Sequence, residues 1–380
     1  MDHAKSFSQI LLICPYTLLT PHFWARSVIV LVAFCHSAMA CAQSEARDLG
    51  HRLDQIFGAV APELFSGVVL IGRGGETILH RGYGLAERSH QVPVTEETVF
   101  PIASLSKQFT ATAALRLVAD GRLALHDSLG LLFPTAPADK RGITVHQLLT
   151  GTAGLPRDAT SSSAVIERDS LVQAILAAPL RRAPGSAHEY SNAGYLLLAA
   201  VVEDRAGMPF DRYLEEELFA PAGLTSTGFP GDGWRRSVAH GYGGDYRGTV
   251  IDEPAANAGW YRRGAGGLLS TASDLYRWEQ ALTTGRVLPD SLVQKLFTGH
   301  VPEEEGGSSF YGYGWVVQET TAGVPIVWHN GGWGPYYAEL RRYPSTDIVA
   351  VLLTNQRGIA VEEIWNTALR LVARSVQSGE

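Results

Sequence analysis

The chain has 380 residues, 46% of them hydrophobic and 18% charged, with a formal net charge of −7; that is enough for one large domain or two smaller ones with a sizeable core. No basic stretch breaks the acidic balance, which argues against a nucleic-acid partner. The three cysteines, Cys14, Cys35 and Cys41, all fall within the first 41 residues, so disulfides, thiolate zinc sites and a cysteine nucleophile are excluded from the rest.

Arg26 precedes an apolar run from Ser27 to Ala40, whose length suits a signal-peptide core and is short for a membrane span. Ala38-Met39-Ala40 puts small residues where a signal peptidase reads, so residues 1–40 are expected to be removed, with cleavage after Ala40 or Ala42. An earlier apolar patch, Ile10 to Leu19, is interrupted by Pro15 and fits an over-long start. Ala38-Met39-Ala40-Cys41 is also a degenerate lipobox, with Ala where a strong one has Leu. The expectation is an exported protein, periplasmic or secreted, whose one route to a membrane is a lipid anchor at Cys41.

The body is expected over residues 45–376. Ser66 to Ile71 is rich in β-branched residues, Arg73-Gly74-Gly75 reads as a turn and Thr77 to Tyr83 as a second strand, which makes a hairpin. From Leu105 the period changes: Phe109, Ala113 and Leu117 share one helical face, and Gly121 is placed to end that helix. Residues 135–300 read as short helices and loops rich in Gly and Pro. Thr271 to Asp274 opens one helix as a capping box, which makes Asp274 structural. Gly314 to Gln318, Pro325 to Trp328, Tyr336 to Tyr343 and Ile348 to Leu353 read as strands joined by short turns, and a helix over about 361–376 closes the chain. Strands at both ends with helices between predict an α/β fold, one mixed sheet completed late, with a mainly helical insertion over roughly 120–300.

Three short segments carry chemistry. Ser104-Leu105-Ser106-Lys107 is the only Ser-x-x-Lys in a chain with four lysines. At the start of a helix its Ser and Lys lie one turn apart on one face, beside free backbone N–H groups and the positive end of the dipole. A serine hydroxyl needs a base, and a neutral lysine can serve if burial or a neighbouring cation lowers its pKa by about 3 units. Ser106 reads as an N-cap that satisfies the first turn. In Tyr190-Ser191-Asn192, the tyrosine can relay a proton and the asparagine can donate to a substrate carbonyl. In His329-Asn330-Gly331-Gly332, at the end of an apolar strand, the glycines let a substrate backbone approach like an added strand. Each segment also has an ordinary structural reading: an N-cap serine, a packed tyrosine, a Gly-rich hairpin turn.

In this order the segments resemble the serine β-lactamase and penicillin-binding-protein superfamily, and within it the class C β-lactamases with their esterase and D-aminopeptidase relatives. The text around Ser104 (FPIASLSKQFTATA), Ile143 to Pro156 (ITVHQLLTGTAGLP) and Gly266 to Asp274 (GGLLSTASD) is similar as well, so the likeness spans roughly residues 50–375. The resemblance implies an α+β sandwich: an antiparallel sheet flanked by N- and C-terminal helices, a helical subdomain, and the site between the two. Carried over, Ser104 is the nucleophile, and Lys107 and Tyr190 share the proton transfers. Asn192 holds the substrate amide or the lysine. The N–H groups of Ser104 and Gly332 form the oxyanion hole, and the strand His329 to Gly332 receives the substrate. The substrate is then a small molecule or peptide, with no cofactor; His126, His146 and His240 show no metal-binding spacing.

Where class C β-lactamases have Lys-Thr-Gly, this chain has His329-Asn330-Gly331. Histidine is mostly neutral at pH 7 and holds a substrate carboxylate less well. The expected activity is therefore an acyl-enzyme hydrolase of an ester or small amide. The alternatives are a β-lactamase or D-Ala-D-Ala carboxypeptidase-type penicillin-binding protein, or a binding or sensor member that does not turn over. Gly151 replaces a common His, with a packing effect expected. Loops 155–165, 230–262 and 301–312 are expected to line the pocket, with Tyr311, Trp333 and Tyr336 as candidate pocket aromatics.

Overall fold

Val68 and Leu70 pack into one core while Val69 and Ile71 pack into another, because the strand that carries them is covered on both faces. In this computed structural model, residues 43–160, 166–231, 234, 236–243, 250–252, 259–321 and 323–377 are described. The expected signal peptide, its cleavage sites and Cys41 lie outside the described residues.

Eight strands make the main sheet: β1 (Gly67–Arg73), β2 (Glu76–Tyr83), β3 (Val301–Pro302), β4 (Phe310–Tyr311), β5 (Val316–Glu319), β6 (Pro325–Trp333), β7 (Tyr336–Tyr343) and β8 (Ile348–Thr354). Their spatial order is β2-β1-β8-β7-β6-β5-β4-β3, and every neighbouring pair is antiparallel. The first hairpin and the last strands thus meet side by side, β1 against β8, from opposite ends of the chain.

Helix α1 (residues 43–58), from Leu49 on, and the C-terminal helix cover one face. There Leu53 and Phe57 meet Trp365, Ala368 and Val372 over Val69, Ile71, Ala350 and Leu352. On the other face lie α2 (Ser106–Ala119), α3 (Asn192–Ala206) and α4 (Ala272–Thr283), with Val68, Leu70, Val349, Val351 and Leu353 beneath them. The C-terminal helix is α5 (Ile359–Gln377). Phe109 of α2 stacks on Trp278 of α4 with ring centroids 4.3 Å apart. Each such fully buried side chain contributes about 1.5–3 kcal/mol. Nearly every residue of α3 from Ala193 to Val202 is buried, so it is an interior helix, capped by the Ser191 hydroxyl and ended by Gly207 in the left-handed conformation. Residues Leu49–Glu380 form one compact unit. The α+β sandwich expected from the sequence is the fold observed.

Three local expectations differ from the structure. The strand expected to stop at Trp328 runs on to Trp333, so His329 to Gly332 is paired strand and the turn falls after it. Ser106 does not cap α2; it is buried and its hydroxyl accepts the Leu268 N–H at 3.2 Å. Thr271 caps α4 as expected, but the Asp274 carboxylate accepts from Ser226 N and the Thr227 hydroxyl, at 2.7 and 2.9 Å, and so ties a distant loop to the helix. Strands β3 and β4, two residues each, are too short to leave a periodic signal.

Candidate active site

Ser104 sits in a single 3-10 turn, Ala103–Leu105, that leads into α2. Ala103 has a φ of +45°, a strained value for a residue with a Cβ. The turn is clamped from two sides. Ile102 N–H donates to Leu268 O at 3.0 Å. Gly331 of β6 presses against it so closely that a Cβ there would lie 2.2 Å from Ile102 O and 2.7 Å from Ser104 N. The glycine expected for close approach is required, and what it approaches is the Ser104 turn itself.

Lys107, one turn on, is fully buried. Its Nζ lies 2.7 Å from Asn192 Oδ1, 2.8 Å from Ala265 O and 3.3 Å from Ser104 Oγ. Two of these are pure acceptors, and they consume the two N–H bonds of a neutral amine. In that state the remaining lone pair turns to the Ser104 hydroxyl, as a general base requires, whereas an ammonium donates to all three oxygens. Burial lowers the Lys107 pKa, and the Arg157 guanidinium acts in the same direction; Tyr190 and the Asp158 carboxylate oppose them.

Tyr190 and Asn192 are brought to Lys107 by a zipper between two loops. Glu189 N–H donates to Gly151 O at 2.8 Å, the Ser191 hydroxyl to Pro156 O at 2.7 Å, and Asn192 N–H to Arg157 O at 2.8 Å. The Tyr190 ring then stands 4.8 Å from Lys107 Nζ and 5.0 Å from the Arg157 guanidinium. Of the two roles open to Asn192, the geometry takes the lysine one. Its Oδ1 accepts from Lys107 and its Nδ2 donates to Asp158 Oδ1 at 2.8 Å, so both ends of the amide are engaged.

His329 is buried, and Nδ1 is 2.6 Å from Asn330 O. A carbonyl cannot donate, so Nδ1 carries the hydrogen, and Nε2 accepts from the Tyr311 hydroxyl at 3.2 Å. Burial, with Lys107 adding to it, pushes the His329 pKa down to about 3. The imidazole is neutral across the physiological range and is no substitute for a lysine cation.

The edge of β6 is open beside the nucleophile. Hydrogen-bonded positions alternate along an antiparallel strand. The Thr320 N–H to Val324 O bond at the hairpin sets that alternation, so residues 324, 326 and 328 face β5. Pairing with β5 ends at Trp328; of the next positions on that edge, Asn330 has its C=O taken by His329, and Gly332 lines the cleft. Gly332 and Ser104 both line a cavity of about 230 Å³, together with Asn192, Arg157, Asp158, Tyr261, Arg262 and Trp333.

Of the three aromatics expected at the pocket, only Trp333 lines it, with Arg262 stacked 3.7 Å from its ring centroid. Tyr311 is buried behind His329, and Tyr336 is buried with its hydroxyl on Ala239 O. Gly151 leaves room for His188, whose ring would lie 2.9 Å from a Cβ there, so a histidine from another loop fills that space. Loop 155–165 contributes Arg157 and Asp158, and loop 230–262 contributes Tyr261 and Arg262; residues 301–312 are absent from the cavity wall. Arg157, Asp158, Tyr261, Arg262 and the Ala265 carbonyl were not singled out from the sequence. Arg157 and Asp158 sit in a loop, Tyr261 and Arg262 in the 3-10 turn Gly259–Arg262; none carries a spacing signal, and the expected pocket loops 155–165 and 230–262 give only their neighbourhood.

The Beta-lactamase family model matches residues 53–374. The chain is 30% identical over 310 residues to the putative penicillin-binding protein PbpX of Bacillus subtilis (strain 168), covering 81% of this chain and 75% of that protein. A solved penicillin-binding protein from Bacillus halodurans superposes with a TM-score of 0.72 at 26% identity, covering 84% of this chain and 98% of that one. A structure of SurE with D-Leu superposes with a TM-score of 0.73 at 27% identity, covering 87% and 76%.

Proposed function

Because the chain belongs to the Beta-lactamase family, we propose that it is a serine hydrolase that forms an acyl-enzyme on Ser104 from an ester or small amide. The observation that carries this reading is the buried Lys107, whose Nζ lies 3.3 Å from Ser104 Oγ while the Asn192 and Ala265 oxygens accept from it.

In acylation the Ser104 Oγ–C bond forms while the hydroxyl proton moves to Lys107 Nζ. The carbonyl oxygen becomes an oxyanion that accepts from the N–H groups of Ser104 and Gly332; one such donor is worth about 3–4 kcal/mol. The C–O or C–N bond then breaks, and the leaving group takes the proton from Lys107, directly or through Tyr190. Water attacks the acyl carbon, gives its proton to the same base, and Ser104 leaves with it. The 3.3 Å separation of Lys107 Nζ and Ser104 Oγ is long for proton transfer and shortens when substrate fills the cleft.

The names of the penicillin-binding relatives favour a second reading, acylation by a β-lactam or a D-Ala-terminated peptide. The neutral His329 speaks against efficient capture of their carboxylate on the strand. One purified preparation assayed on p-nitrophenyl butyrate and on nitrocefin decides. Fast ester turnover, slow nitrocefin cleavage and no activity in Ser104→Ala are expected. Fast nitrocefin cleavage would establish the second reading, and a burst of product without turnover would mark a binding or sensor protein. Export is part of the proposal: the intact mass of the mature chain should show loss of residues 1–40, with added diacylglycerol if Cys41 is an anchor.

A further inference from the structure

Among the described residues that line the cavity around Ser104, one is a carboxylate, Asp158. It is held rather than loose. Oδ1 accepts from Asn192 Nδ2 at 2.8 Å and from the Tyr261 hydroxyl at 2.7 Å. Both donors are neutral, so they fix the carboxylate without cancelling its charge. Oδ2 has a longer contact, 3.8 Å from Arg157 Nε, and that arginine side chain is 69% exposed, a pair solvent screens heavily. The Asp158 side chain is itself 35% exposed although two hydrogen bonds anchor it. An oriented anion with a lightly engaged oxygen, in the wall of the cleft that holds the nucleophile, is built to receive a cationic donor.

Resting on the reading of Ser104 as the acylated nucleophile, we propose that Asp158 is a substrate-binding residue that selects acyl groups bearing a protonated amine near the reacting carbonyl. The substrates are then aminoacyl esters or amides with a free ammonium group. The proposal also accounts for why the carboxylate is wired to the base. Asp158 holds Asn192 and Asn192 holds Lys107, and the Asp158 charge is one of the influences that favour protonated Lys107. A bound ammonium offsets that charge and frees Lys107 to act as a base, so the amine acts on turnover as well as on binding.

Alanine methyl ester, in each enantiomer, and methyl propionate differ in the ammonium group, and released methanol follows both at either pH. At about pH 6.5 the amine is charged and at about pH 9 it is neutral. For the better enantiomer the ratio of kcat/KM, amino over unsubstituted ester, is expected to be about tenfold or more at the lower pH and to collapse towards one at the higher. Asp158→Asn keeps the shape and should lower the low-pH ratio about tenfold, leaving only the activation that the ammonium group gives the ester itself; Tyr261→Phe, which loosens Oδ1, should lower it about threefold. A ratio near one in the wild type, or one unchanged in Asp158→Asn, overturns the proposal. If neither ester turns over, the same ratio is read from protection of Ser104 against a fluorophosphonate. Failure of the nucleophile reading looks different: Ser104 is not labelled, or Ser104→Ala still hydrolyses the esters.

Discussion

Replacing Gly331 by alanine tests whether the close approach of β6 to the nucleophile turn is what sets the reacting geometry. The added Cβ would sit 2.2 Å from Ile102 O and 2.7 Å from Ser104 N, where real Cβ contacts stay above 3.0 Å. Both neighbours are backbone, and the turn is already strained at Ala103 and pinned to Leu268. Strand and turn must therefore separate by about 0.8 Å or more. A misplacement of about 1 Å at a reacting centre costs on the order of 100-fold in rate, and the same movement pulls the Gly332 N–H away from the oxyanion. Forcing a methyl into a packed interior costs about 1–3 kcal/mol of stability. The variant should thus stay folded, melt a few degrees lower, and lose about 100-fold or more in kcat/KM on p-nitrophenyl butyrate. Its rate of phosphonylation at Ser104 should fall in parallel, because acylation is the step disturbed. Gly142→Ala, with nothing within 4 Å of the added atom, is the control. Wild-type rates and melting temperature in Gly331→Ala would refute the claim that this contact positions Ser104.

Lys107→Met, similar in length and unable to take a proton, should fold and acylate about 10²–10⁴-fold more slowly; an unchanged rate of Ser104 labelling would remove lysine from the base role. Asn192→Ala removes an acceptor that favours protonated Lys107, so it should lower the pH needed for half-maximal kcat/KM if the side chain mainly holds Lys107, whereas a change in KM alone would show that it binds substrate. The low His329 pKa gives a stability prediction. The unfolded histidine binds its proton near pH 6.5 and the folded one near 3, so the unfolded state holds more protons between those values and stability falls as the medium is acidified through that window. The full effect approaches about 5 kcal/mol. His329→Gln should flatten the acid slope of the denaturation midpoint between pH 6.5 and 3; an identical slope would show that His329 is not held neutral.

Local sequence carried the parts of the molecule whose cause is local. The Arg73-Gly74-Gly75 turn, the helix that begins beside Ser104 and the apolar strands that close the sheet follow from residue type and period alone. What was hidden required the third dimension. Ser106 looks like an N-cap from its place in the chain, but the segment 264–268 folds over the turn and claims its hydroxyl. His329 to Gly332 looks like a turn because glycines usually are one; here Gly331 is needed against Ile102, and the strand runs through. The Ala265 carbonyl, which completes the environment of Lys107, is main chain and invisible to any pattern of side chains.

The charge of the site shows the same division in its chemical form. The motif residues supply a lysine whose pKa burial lowers and a histidine that burial keeps neutral. Their work is to move protons and accept hydrogen bonds, and neither offers a fixed charge to a substrate. Among the described residues, the charged side chains that line the cavity are Arg157 and Asp158 of a loop and Arg262 of a short 3-10 turn. Loops can exchange such residues without disturbing the turn, the strand edge or the lysine beneath them. A chain of this kind keeps its reaction in the elements that the sequence makes legible. On the proposed reading its substrate is set in the segments between them, so that Ser104 is legible in the text while Asp158 takes the structure to find.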